Sequence, residues 1–115
     1  MASLFRTNAT RENFLSMYTS PEVASAFEAL WENKNGLQDH FLNYWGVVAR
    51  RFKDSEFVLG YDIINEPFAA NLQKDSMLFF DQQKFDREFL TPFYERAVEV
   101  IRKEDSEHLV FFEPA

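Results

Sequence analysis

Residues 58–68 read VLGYDIINEPF. An apolar run ends here in an asparagine, a glutamate and a proline, and the reading of that ending decides the fold. The run 57–66 is nearly continuous in apolar character rather than strictly alternating. That is the pattern of a strand covered on both faces, as in a parallel sheet. Pro67 donates no backbone hydrogen bond, so it stops the ladder just past the carboxylate. With alternating side chains, Gly60, Asp62, Ile64 and Glu66 would share one face. A strand buried on both sides is rigid, so its last residue is a well-fixed mount for a reactive group. Partly apolar surroundings would favour the protonated carboxyl that a general acid needs. Asn65 supplies an amide that can bond a sugar hydroxyl without adding charge. A Glu66 directed into bulk solvent, or lying on a helix, would defeat this reading.

Working outward, residues 108–113 repeat the ending. His108 opens a second strand, LVFF is its apolar body, and Glu113-Pro114 closes it. Helical character between the strands resumes near Gln82 and is broken at Thr91-Pro92, because proline cannot continue a helix but starts one well. A longer helix then runs from Pro92 to Lys103 with Phe93, Ala97, Val100 and Ile101 on its core face. Strand, helix and strand in that order make a βαβ unit with a right-handed crossover. The fold class is therefore α/β. Two parallel strands that both finish in Glu-Pro put two acids on the carboxyl-end rim, where such folds do their chemistry.

Residues 20–52 read as helices. Ser20 suits an N-cap, Pro21 the first helical position and Glu22 the positive end of the dipole. Val23, Phe27, Leu30 and Trp31 form the first stripe, and Asn35-Gly36 ends or kinks the helix. The second helix, about Leu37 to Phe52, carries Leu37, Phe41, Tyr44, Trp45, Val48 and Phe52 on one side. Residues 1–19 read as a loop with one helical turn near Phe14 to Tyr18. Residues 68–83 read as a polar loop with an apolar patch at Met77 to Phe80.

The chain has 115 residues, of which 46% are apolar and 17% aromatic, a composition that folds. Its net charge of -7 argues against nucleic acid and anionic membrane surfaces as partners. There is no cysteine, which excludes disulfides and thiolate metal sites and leaves the redox compartment open. His40 and His108 show no ligand spacing. No run of 18 apolar residues offers a transmembrane segment, and residues 1–20 lack the apolar core of a signal peptide. The triplet Asn8-Ala9-Thr10 is a glycosylation sequon of a kind frequent by chance.

Asn65-Glu66-Pro67 after an apolar strand resembles the strand-four motif of the family-5 glycoside hydrolases, which are (β/α)8 TIM barrels. The match is closer to the endoglycoceramidase branch. It is carried by AFEALWENKNGLQDHFLNYWGVVARRF at 26–52, VLGYDIINEPF at 58–68, LTPFYERAVEVIRKED at 90–105 and LVFFEP at 109–114. The resemblance implies that Glu66 is the general acid/base and that Asn65 holds the hydroxyl beside the reacting carbon. Phe68 stands where this branch more often has tryptophan, so it implies a weaker stacking contact with substrate. The reaction implied is retaining hydrolysis of the β-glycosidic bond of a glycolipid, between glycan and ceramide, with an oligosaccharide as the other candidate substrate and with no cofactor or metal. Enzymes of this kind are usually extracellular or lysosomal.

The same resemblance places the catalytic nucleophile, a second glutamate, on strand seven, whereas these residues reach only strand five. A barrel of this type takes about 250 residues or more. The expectation is a partial catalytic domain over 1–115, two parallel strands with flanking helices and the remainder of the barrel missing. Alone it should be inactive and should not fold stably. Two rivals stand beside this reading: a family-5 enzyme acting on glucans or steryl glucosides, and an inactive truncated product or interaction module.

Other residues have plainer readings. Glu113 invites pairing with Glu66 as the two acids of a retaining site, which lie roughly 5–5.5 Å apart. The family pattern favours rim hydrogen bonding instead, with substrate contact as a lesser role. Asp62, inside a barrel, should be buried and paired with an arginine on one of the missing strands. Trp31, Trp45 and Tyr44 belong to helix stripes and should pack in the core, and His40 should lie on the surface.

Overall fold

The computed structural model describes residues 20–68 and 82–114. The segment 1–19 with its sequon, most of the loop expected over 68–83 and its patch at Met77 to Phe80 lie outside the described residues. Helix α1 spans Pro21–Trp31 and begins as expected. The Ser20 side chain accepts the Val23 amide at 3.4 Å, and proline takes the first turn. Asn33, Asn35 and Gly36 then adopt left-handed backbone, with φ of 51°, 53° and 75°. Asparagine and glycine tolerate that region best: α1 stops at Trp31, ahead of Asn33, and the pair Asn35-Gly36 turns the chain towards the next helix. A 3-10 turn over Lys34–Gly36 leads into α2, Leu37–Phe52.

Strand β1 is Gly60–Asp62, and β2 is Leu109–Phe111. They pair in parallel, Gly60 with Leu109, Tyr61 with Val110 and Asp62 with Phe111. Both are shorter than the spans 57–66 and 108–113 read from the apolar runs. Single bonds extend the ladder by one step each way, Leu109 N to Leu59 O and Ile63 N to Phe111 O, both 3.3 Å. Beyond these the two strands lose their mutual ladder, so apolar character outlasts strand geometry.

Gly60 sits where the strands come closest. A Cβ built on it would lie 2.4 Å from the Leu109 carbonyl oxygen, and backbone cannot yield as a side chain can. Gly60→Ala in a complete barrel containing this segment is therefore expected to cost about 1–3 kcal/mol through overpacking, read as a lower Tm. An unchanged Tm would show that the ladder relaxes freely here.

The connection back to β2 is helical in three pieces. Helix α3, Gln82–Phe85, runs into a π-helical stretch, Asp86–Leu90, and then into α4, Thr91–Arg102. The π stretch immediately precedes Pro92, whose ring would collide with the carbonyl four residues back and which has no amide to donate. The Thr91 amide reaches back to Asp86, an i to i+5 bond that widens the helix there. The expected break is thus a bulge in a continuous path.

One face of the β pair packs on the helices. Tyr61 and Ile63 are buried against a core of Trp31, Leu42, Ala49, Phe85, Leu90, Phe93, Ala97 and Ile101. Trp31 meets Phe85 and Phe93 edge-on at 5.5 and 5.4 Å between centroids. Both expected stripes hold in part, since Trp31 lies in the core and Phe27, Leu30, Phe41, Trp45 and Val48 pack against it half-buried. In α1 the buried positions are Ala24, Glu28 and Trp31, and Val23 is half-buried. In α2 they are Gln38, Leu42, Gly46 and Ala49, while Tyr44, Leu37 and Phe52 are exposed and Trp45 is half-buried. Small residues explain the rotation of α2, because they let α4 approach: a Cβ on Gly46 would stand 3.1 Å from Val100. His40 is exposed, as expected.

A buried polar cluster ties the lower end of both strands together. The Asp105 carboxylate accepts the Tyr61 hydroxyl at 2.6 Å and the amides of Glu107 and His108 at 2.9 and 3.1 Å. The His108 ring bridges it to the Ser55 carbonyl, with contacts of 2.6 and 3.1 Å. Burial alone would raise the Asp105 carboxyl, but these donors together hold it well below the usual range. Burial, and then the Asp105 carboxylate, push Tyr61 up to about 12. His108 is raised, first by the Ser55 carbonyl and then by Asp105, since both ring nitrogens face acceptors and the imidazolium satisfies both.

The signs of these shifts define a pH window. Asp105 is lowered on folding, so its contribution is present above the ordinary value of 3.8 and fades as pH falls through the lowered one. His108 is raised, so its contribution is complete below 6.5 and fades as pH rises through the raised value. The pair therefore stabilises most between those limits. In a complete barrel, Asp105→Ala is expected to flatten the alkaline limb of Tm against pH. It should also cost about 3 kcal/mol, because it strands buried donors. A profile unchanged in shape would uncouple the cluster from folding.

Candidate active site

The opposite end of the strands carries the rim. After β1 the chain passes Ile63 and Ile64, bends at Asn65 and Glu66, and buries the Pro67 ring. Glu66 does not continue the strand. Its φ is 45°, in the left-handed region. A non-glycine residue pays about 1–2 kcal/mol there, and the residue before a proline is normally driven to extended backbone. The simple alternation that put Gly60, Asp62, Ile64 and Glu66 on one face therefore fails at the last step.

Glu66 is exposed, and so is Asn65. The partly apolar setting expected for the acid is not present, and the carboxylate faces solvent. Two strands enclose no lumen, so a rim residue here has open space where other strands of a barrel would stand. This exposure describes the rim with only β1 and β2 beside it, and does not decide the setting of Glu66 in a closed barrel. Asp62 is exposed on the open face, next to Phe111 in the register, and the arginine expected to pair with it belongs to a strand outside this segment.

What the structure does bring together is Glu66 and Glu113. The Glu66 backbone amide donates to Glu113 Oε2 at 2.8 Å. Glu113, half-buried, thus makes the rim hydrogen bond that its position suggested. Its own backbone is clasped by Tyr94 on α4, whose hydroxyl donates to the Glu113 carbonyl at 2.7 Å and accepts the Glu113 amide at 3.2 Å. Tyr94 is buried, and that burial is the first cause of its raised value, so it remains a neutral donor. No reading of the sequence singled out Tyr94. It sits beside Phe93 on a helix stripe and carries no motif.

Phe68 is half-buried. Its ring tilts against Phe27 at 5.7 Å, and its carbonyl accepts the Trp31 indole N–H at 3.0 Å. The ring expected to meet substrate is thus engaged in packing on α1, and Trp31 is a core residue that also anchors the chain leaving the rim. His108 lies at the far end of the strands, in the cluster described above. Among the described residues no group of three or more histidines, cysteines, aspartates or glutamates is placed to hold a metal ion. No helix among them is long and apolar enough to cross a membrane.

A rim glutamate after an apolar parallel strand, preceded by asparagine and followed by proline, can be weighed against known proteins. The family model described as cellulase (glycosyl hydrolase family 5) matches residues 18–115. The chain belongs to glycosyl hydrolase family 5. Within that family it is 36% identical over 96 residues to endoglycoceramidases of Cyanea nozakii and Hydra vulgaris, covering 84% of this chain. It covers 19% and 18% of those two proteins, so it spans about a fifth of the length of each relative.

Among solved structures it is similar to endo-glycoceramidase II from Rhodococcus sp. A complex with a cellobiose-like imidazole gives a TM-score of 0.71 at 31% identity, over 84% of this chain and 21% of that one. A complex with ganglioside GM3 gives 0.70 at 33% identity, over 84% and 20%. The described residues are a segment of the family-5 (β/α)8 barrel, two parallel strands with their flanking helices.

Proposed function

We propose that this chain carries the acid/base half of a retaining family-5 β-glycosidase that cleaves glycosphingolipids between glycan and ceramide. The observation that carries the reading is the placement of Asn65-Glu66-Pro67 at the carboxyl end of β1, in a segment that matches endoglycoceramidases by sequence and by structure. The ganglioside complex of one neighbour supports a glycolipid as substrate class.

In this reading β1 and β2 are strands four and five of the barrel. Glu66 protonates the leaving oxygen and then takes a proton from the water that releases the glycan. Asn65 bonds the hydroxyl next to the reacting carbon. The nucleophile is a second carboxylate from another strand, so the 115-residue chain alone turns over nothing. Glu113 serves Glu66 more directly than substrate, and Phe68 supports the rim from below. An extracellular or lysosomal setting suits a glycolipid substrate.

The test is a product analysis. A complete barrel containing residues 18–115 is incubated with a ganglioside, a glucosylceramide and cello-oligosaccharides. Intact glycan plus ceramide from the ganglioside supports the reading. Cleavage confined to the glucans would move the enzyme to the glucanases of its family, and no cleavage of any would overturn glycosidase function. Trapping with methanol decides stereochemistry: a β-methyl glycoside is expected for retention, and its α-anomer would overturn it.

A further inference from the structure

We infer that Glu113 is a positioning residue for Glu66, and that it acts by locking the left-handed backbone of the acid through a hydrogen bond from its amide. The inference rests on the acid/base reading of Glu66 proposed above. Three observations meet at one place. Glu66 has φ of 45° although it is not glycine and precedes a proline. Its amide donates to Glu113 Oε2 at 2.8 Å, a charge-assisted bond across the gap between the two strand ends. The Glu113 backbone is itself fixed on both sides by the Tyr94 hydroxyl.

A residue in a disfavoured backbone region persists only where its surroundings over-determine it, and such residues cluster at reacting centres. Here the surroundings are identifiable. Buried Pro67 fixes the chain after Glu66, and Glu113 fixes the amide before its side chain. Releasing that amide lets Glu66 relax towards extended backbone and swings its carboxyl away. Acid catalysis is sensitive to such a displacement, since the donor must sit within hydrogen-bond reach of the leaving oxygen. Glu-Pro at the end of β2 is then support for the Glu-Pro at the end of β1. Tyr94 extends the support back to α4, so the acid is held by helix, strand and strand in series.

The experiment uses a complete barrel containing residues 18–115, either the native full-length protein or a chimera with Rhodococcus endo-glycoceramidase II. Each variant is assayed on a ganglioside, whose leaving group needs a proton, and on an activated aryl glycoside, whose leaving group does not. Glu113→Ala is expected to lose about tenfold or more in kcat/KM on the ganglioside and little in kcat/KM on the aryl glycoside, because kcat/KM reports the first step, in which only the poor leaving group needs the proton. Glu113→Gln keeps an acceptor oxygen at the same reach and is expected to restore most of the loss. Tyr94→Phe should give the same selectivity with a smaller loss. Equal losses of Glu113→Ala on both substrates, or a glutamine variant as impaired as the alanine, overturn the inference.

Should Glu113→Ala fail to fold, Glu113→Gln against Glu113→Asp decides, because aspartate keeps the charge but falls one methylene short. Aspartate performing as well as glutamine on the ganglioside would overturn the lock. Glu66→Gln separates the two levels of reading. If it is selective for poor leaving groups and Glu113→Ala is not, only the lock falls. If Glu66→Gln is not selective, the acid assignment falls and takes the lock with it.

Discussion

In a complete barrel, Glu66→Gln is expected to lower turnover on a ganglioside by about 10²–10⁴, while an activated aryl glycoside is still opened at nearly the normal rate in the first step. Glutamine preserves the shape of the side chain and its ability to hydrogen-bond, but it has no carboxyl proton to give. The leaving group of a glycosphingolipid is a primary alcohol, which departs slowly as an alkoxide and so depends on that proton. A nitrophenolate leaves without it. The second step has the opposite demand, because water attacks the glycosyl-enzyme only when a base takes its proton. With the activated substrate the variant should therefore accumulate the covalent intermediate and show a burst. Azide needs no deprotonation and is expected to restore the second step, with a glycosyl azide as product. Equal loss on both substrates with no azide rescue would remove Glu66 from the acid/base role, whatever the family.

How much of this could be read from residues alone depends on which physical signal each feature leaves. The start of α1 was legible because Ser20-Pro21-Glu22 solves a local problem, the orphan amides of a helix end. The interruption at Pro92 was legible for the same reason, although its form, a π stretch over Asp86–Leu90, was not. Asn65-Glu66-Pro67 was legible as the end of a strand. The faces of α1 and α2 were legible only in part, because hydropathy marks large apolar residues, and of these Leu37, Tyr44 and Phe52 are exposed while Phe27, Leu30, Phe41, Trp45 and Val48 pack on the core. The small residues Gly46 and Ala49 are buried although hydropathy does not mark them: Val100 of α4 lies against Gly46, and the Tyr61 hydroxyl of β1 lies against the Ala49 carbonyl. The Asp105 cluster was not legible, because its bond from the Tyr61 hydroxyl joins distant segments, and such convergence leaves no trace in local pattern.

At the candidate site the same limit applies more sharply. The sequence places Glu66 and Glu113 on one rim, but it cannot show that one accepts the backbone amide of the other. Nor does it foretell left-handed backbone before a proline, since local preference points the other way. The expectation that Glu66 would be sheltered failed because it was a property of a closed ring, while β1 and β2 form two neighbouring staves of one.

That geometry sets the second large effect: the isolated 115-residue chain is expected to be inactive and to self-associate, with no sharp thermal transition. One face of the two-strand sheet packs on the helices. On the other face and at the strand ends, apolar side chains meet water, with Phe57 98% exposed, Leu59 73%, Leu109 52% and Phe112 63%. An apolar groove of about 600 Å³ also opens between α4 and the end of β2, lined in part by Leu90, Val98 and Phe112. Exposed large apolar residues beside an open apolar groove mark an interaction or aggregation surface. Among the described residues each strand also has one edge without a partner strand, which invites another chain to add one.

Against these exposed surfaces stand a small helical core, the buried Asp105 cluster and surface ion pairs such as Arg50 with Glu104, of a kind that contributes little in water. The balance favours association over a folded monomer. Gel filtration should show species larger than the 13.6 kDa chain. A dye that fluoresces on apolar surface should bind, and no glycoside of any leaving group should be cleaved above background. Adding the rest of the barrel in one polypeptide should reverse all three. A monomer that melts cooperatively and excludes the dye would show that two staves and their helices make a domain by themselves. Cleavage by that monomer would mean that the second carboxylate of the reaction is already in the chain.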